Sequence, residues 1–189
     1  MGGVLDFAVF EDANGTEDEI LLAVPQTLRH SNIYDREKLR SLGSRHITKR
    51  KFFGDWYDYE KGLLLKHGRW ITADGRKLDS PALVTLADTA ILSGGYESPE
   101  DFGQFSHAFL EPPYGLHAKP SEVQAVFEEI RDFILPPAQF CEIVDWKSER
   151  LPEVSDYFED GMDWWGVYLF SIYARPLRRL TIIAGSATD

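Results

Sequence analysis

Val167 to Tyr173 and Leu180 to Ala184 are apolar runs rich in β-branched and aromatic residues, and between them stands Arg175-Pro176-Leu177-Arg178. Runs of this length and composition are strands, and so short a polar connection makes them an antiparallel hairpin. Phe140 to Trp146 reads as a further strand just upstream, and Val4 to Phe10 and Ile20 to Val24 as two more near the N-terminus. Asn14-Gly15 is a turn dipeptide in the loop between that pair. Phe52 to Tyr59 and Leu63 to Thr72 look extended. The ends of the chain are therefore strand-rich.

Helical signals lie between them. Tyr34 to Leu42 is a short helix candidate with Gly43 placed to stop it. Ser80 and Pro81 open a second, with Leu83, Leu86, Ala87, Ala90 and Ile91 on one face and Gly94-Gly95 at its end. Ser98 and Pro99 open a third, which aligns Phe102, Phe105 and Phe109 before Pro112-Pro113. The clearest is Ser121 to Leu135, where Ser121 and Gln124 form a capping box and Val123, Phe127, Ile130 and Ile134 make the buried stripe. Strands, then helices, then strands, without βα alternation, predict an α+β fold. The expected architecture is one domain over residues 1–189, a mainly antiparallel sheet on three to four helices with a C-terminal β-hairpin. An apolar content of 43% is sufficient for such a core.

Charge narrows the partners. The net charge is −11, and residues 96–189 carry −10 of it, with 7 basic against 17 acidic side chains. That half repels phosphate backbones and attracts cationic surfaces. The exception is Arg29 to Lys51, with eight Lys/Arg against two acids, flanking aromatics Phe52-Phe53. Nucleic acid is not the expected partner, since this patch has acids elsewhere in the chain to pair with. Cys141, the single cysteine, allows no internal disulfide and points to a reducing compartment. No signal peptide or membrane-length apolar run is visible, so the expected location is cytoplasmic, without membrane association.

Catalytic machinery is not apparent. There is no Gly-x-x-x-x-Gly-Lys-Ser/Thr loop, no Gly-x-Gly-x-x-Gly after a strand and no Gly-x-Ser-x-Gly elbow, so no cofactor is expected. Cys141 sits in the apolar run Phe140 to Val144, the setting of a structural thiol. His30, His46, His67, His107 and His117 are scattered without metal-ligand spacing, so no metal is expected. An enzymatic alternative, a small hydrolase or carbohydrate-acting enzyme, would need Asp55, Asp58, His107 and His117 to supply acid and base groups, with at least two meeting in one cleft.

Leu151 to Asp163 is the remaining candidate. Pro152 opens a short helix with Val154, Tyr157 and Phe158 on its apolar side, while Asp156, Glu159, Asp160 and Asp163 follow helical spacing. Gly161 interrupts that helix before Asp163, and Trp164-Trp165 follow. In extended backbone only one of two adjacent tryptophans faces a core. The other, beside a negative surface, suits a partner. The expected function is thus a non-enzymatic, acidic protein-binding module. It engages a basic partner protein through Asp156, Tyr157, Glu159, Asp160, Asp163, Trp164 and Trp165. Small acidic inhibitors and immunity proteins that neutralise basic toxins share this charge balance, an analogy of composition alone. A third reading is a structural subunit that buries its aromatics in a homo-oligomer.

Overall fold

The computed structural model describes residues 4–29, 31–86, 91–95, 105–112, 115–163 and 165–187. Its centre is a five-stranded sheet. In chain order the elements are β1 (Val4–Phe10), α1 (Glu17–Ala23), α2 (Arg36–Leu42), β2 (Arg45–Ile47), α3 (Lys49–Phe53), β3 (Tyr57–Asp58), β4 (Leu63–Leu64), β5 (Arg69–Thr72), β6 (Lys77–Asp79) and β7 (Ile91–Gly95). There follow α4 (Phe105–Leu110), α5 (Pro120–Ile134), β8 (Cys141–Asp145), β9 (Tyr168–Ala174) and β10 (Arg179–Ser186). The main sheet has the order β1-β10-β9-β8-β2, and every pairing in it is antiparallel. The fold is α+β, and β9 and β10 form the expected C-terminal hairpin. Arg178, in left-handed backbone at φ 48°, closes it.

All seven residues of β9 are buried, because the sheet is covered on both faces. One face carries Tyr168, Phe170, Ile172 and Ile183 against Phe52, Trp56, Phe105 and Phe127. The other carries Leu169, Tyr173, Leu180 and Ile182 against Ile20, Leu21, Val24, Leu39, Leu151 and Phe158. A strand sandwiched in this way reads as an unbroken apolar run rather than an alternating one. On the first face Phe52 stacks on Phe105 at 4.9 Å and meets Phe170 edge-on at 5.1 Å. Each such ring, fully removed from water, contributes about 2–3 kcal/mol.

Local chemistry overrides the apolar pattern in several places. Ile20 to Val24 is mostly in α1 rather than a strand. Thr16 caps that helix by accepting from the Glu19 amide, and the Glu19 carboxylate accepts from the Asn14 and Gly15 amides at 2.8 and 2.7 Å. Ile20 and Leu21 face the core while Leu22 is 63% exposed, a helical periodicity. Phe52 and Phe53, the start of the segment Phe52 to Tyr59, belong to α3, which Thr48 caps and Gly54 ends at φ 73°. The strand reading survives only at β3.

The helix expected from Ser80 to Ile91 does not form over its described residues. The Ser80 amide bonds to the Gly68 carbonyl and the Lys66 amide to Pro81, which draws residues 80–82 out beside 65–68. Leu83–Thr85 is a single 3-10 turn, and Ile91–Gly95 pairs with β5 as the edge of a three-stranded sheet, β6-β5-β7. Gly94-Gly95 therefore lies in a strand. Of the Ser98 helix, residues 105–110 are helical as α4, and the rest, Phe102 included, lies outside the described residues. The long helix α5 begins one residue earlier than its expected cap. Lys119 is the cap, with its amide bonded to Glu122 at 3.2 Å, so Ser121 and Gln124 are not the capping pair. Gln124 is instead buried, accepting from the Leu64 amide at 3.0 Å and donating to the Gly62 carbonyl at 3.1 Å. Among the described residues no helix is long and apolar enough to cross a membrane.

Candidate functional site

Residues 151–163 form three 3-10 turns, Leu151–Glu153, Asp156–Phe158 and Asp160–Asp163, in place of one α-helix. Leu151, Val154 and Phe158 are fully buried against the outer core and peg the segment to the sheet. Each turn redirects the chain, so the i, i+3, i+4, i+7 stripe expected for Asp156, Glu159, Asp160 and Asp163 does not exist as a helix face. Gly161 has a different role from helix breaking. A Cβ there would lie 2.6 Å from Ser186 Oγ and 2.7 Å from the Gly166 carbonyl oxygen, so it is the point where the segment closes on β10.

Asp156, Glu159 and Asp160 are exposed. Asp156 accepts a hydrogen bond from Ser31, while Glu159 and Asp160 have no ion pair among the described residues. Tyr157 is half-buried, and its hydroxyl donates to Asp6 Oδ2 at 3.1 Å. Burial and then the Asp6 charge push that phenol above its ordinary range. Asp6 is itself 4% exposed, and Arg29 Nε pairs with its other oxygen at 2.8 Å. Trp165 is 4% exposed and donates to the Glu111 carbonyl at 2.7 Å. It is a core residue of the free chain, not an exposed anchor. Trp164 lies outside the described residues.

The basic stretch is largely neutralised within the chain. Arg29 pairs with Asp6, Lys38 with Glu153, Arg40 with Glu17, Asp18 and Glu37, and Arg45 with Asp145. Arg150 and Lys38 together hold the Glu153 carboxyl down at about 2. Lys49, Arg50 and Lys51 on α3 have no ion pair among the described residues.

The enzymatic candidates have separate occupations. Asp58 pairs with Lys61 at 3.1 Å and accepts from the Glu60 and Lys61 amides, which lowers its pKa. The Asp55 backbone carbonyl meets His67 Nε2 at 3.0 Å. His107 is 2% exposed, with Nδ1 3.1 Å from the Tyr168 hydroxyl, which itself donates to the Trp165 carbonyl. Burial first, then the charges of His67, Lys147 and Lys66, bring its pKa down to about 4, so it is neutral at pH 7. Trp56 packs between His67 and His107, with centroids 4.8 and 5.0 Å away. His117 lines an open cleft with Lys66 and Trp70. Cys141 is half-buried, and burial raises its thiol pKa, as a structural cysteine requires. Among the described residues no group of His, Cys, Asp and Glu side chains is arranged to hold a metal.

Sequence reasoning passed over Asp6, Lys66 and Trp70. Asp6 carried the one usable signal, a lone carboxylate inside an apolar strand, where burial demands a partner. The chain matches no family model, and no curated protein or solved structure is significantly similar to it.

Proposed function

We propose that this chain is an acidic protein-binding module of inhibitor or immunity type. It acts in a reducing compartment such as the cytoplasm and engages a basic partner protein through residues 156–164. The observation that supports this is the division of charge. The cations from Arg29 to Arg45 are largely taken up by carboxylates of the same chain, whereas Glu159 and Asp160 are exposed with no ion pair among the described residues. Uncompensated surface charge of one sign steers the encounter with a partner of the other. Asp156, Glu159, Asp160 and Asp163 supply the field, Tyr157 lies at the rim, and Trp164 is the aromatic anchor. Trp165 supports the surface from the core.

The partner is to be captured from the chain's own cells and its association rate measured with wild type and with the double variant Glu159→Lys/Asp160→Lys. At low salt the variant should associate about tenfold more slowly, and high salt should erase the difference. Equal rates at low salt overturn the reading. A native mass at a multiple of 21.6 kDa with no captured partner favours the homo-oligomer instead.

A further inference from the structure

We propose that the cleft beside Lys66 and Trp70 binds a small aromatic anion. The cleft has a volume of about 680 Å³, within the range of small-molecule sites. Its walls come from three parts of the fold. β5 supplies Trp70, the 3-10 turn after Ala82 supplies Leu83 and Leu86, and the segment leading into α5 supplies Leu116, His117 and Lys119.

The apolar part suits a ring. Leu83 and Leu86 are each 7% exposed and form the floor, while Leu116 is 42% exposed and forms a wall. Trp70 is half-buried, and its indole is fixed by donation from Nε1 to the Lys66 carbonyl at 3.2 Å. Its cross-strand partner in β7 is Gly94, which has no side chain to cover it. A pre-oriented indole over leucines offers a planar ligand stacking without an ordering cost.

The cleft gathers basic side chains in an otherwise acidic molecule. In a chain of net charge −11, Lys66, His117 and Lys119 line this opening, and Glu122 is the carboxylate among its lining residues. Glu122 is engaged by the Lys119 amide at the start of α5. Lys66 Nζ lies over the Trp70 ring, 5.9 Å from its centroid, and pairs with Glu111, so the ammonium is held beside the indole with its charge shared with that carboxylate. The first turn of the 15-residue helix α5 adds its positive end at Pro120. A ligand with a ring on Trp70 and the leucines, and a carboxylate, sulfonate or phosphate toward Lys66, His117 and Lys119, satisfies both parts. This site is independent of the acidic surface at residues 156–164.

The test is a fluorescence titration of the full chain with 8-anilinonaphthalene-1-sulfonate and, in parallel, with uncharged N-phenyl-1-naphthylamine. The sulfonate should saturate one site, and the uncharged probe should bind at least about tenfold more weakly. Trp70→Ala, which removes the stack, and Leu116→Asp, which adds a repelling charge on an exposed wall, should each weaken the sulfonate by about tenfold or more. Near-UV circular dichroism establishes that both variants keep the native packing. Equal affinity for the two probes overturns the proposal, as does unchanged sulfonate affinity in a folded Leu116→Asp chain.

Discussion

His107 illustrates how a single buried side chain ties stability to pH. Its ring is removed from water between Trp56 and Tyr168, so its pKa falls to about 4, against about 6.5 in an unfolded chain. The unfolded state therefore binds more protons between those values, and stability falls as pH drops through that window. Urea unfolding at pH 7.5 and pH 5 should differ by about 2 kcal/mol from this residue. His107→Gln should flatten that slope even if it lowers stability overall; an unchanged slope would mean another group is responsible. Asp6 is the contrasting case. In the interior its two oxygens are met one by Arg29 and the other by the Tyr157 hydroxyl. Neither partner was legible in the sequence, for they lie in distant parts of the chain and only β1 brings the carboxylate to them.

At the scale of elements, caps and backbone close approaches decided where sequence pattern was ambiguous. Ile20 to Val24 has the composition of a strand, yet Thr16 and Glu19 at capping-box spacing made it a helix. That signal was present in the sequence and outweighs the apolar run, since a strand would leave those amides without their partners. Residues 80–82 and 91–95 were illegible for the opposite reason: extended pairing with residues 65–72, far from any local rule, selects their conformation. Gly161 belongs here too. Replacing it with Ala puts a Cβ within 2.6 Å of Ser186 Oγ and 2.7 Å of the Gly166 carbonyl. Gly161→Ala should cost about 1–3 kcal/mol, measured by thermal or urea unfolding, because the Gly166 backbone and the Ser186 side chain both have to shift. A neutral result would show that the acidic segment is not seated on β10 as described.

For the whole molecule, β9 is the shared wall of two cores. Phe170 points into the Phe52 cluster and Leu169 into the Phe158 cluster. Phe170→Ala should cost about 3–5 kcal/mol and Leu169→Ala about 2–5 kcal/mol. Both variants should still unfold in one transition, with tryptophan fluorescence and far-UV dichroism superimposable, since neither core keeps its wall without the strand. Separate transitions would show that the two faces are stable independently. Charge is also organised at this scale. Ion pairs such as Arg29–Asp6 and Lys38–Glu153 join segments distant in sequence and consume much of the basic stretch. The apolar runs, the proline and glycine punctuation and the charge totals are carried by the sequence alone. With them came the α+β class, the C-terminal hairpin and the long helix, because short-range periodicity and turn chemistry govern those elements. Only the tertiary structure decided which carboxylates are spent on cations, that Trp165 is core, and that lysine, histidine and tryptophan from separate segments line one cleft. Those outcomes depend on burial and on distances between residues far apart in the chain, which no local pattern encodes.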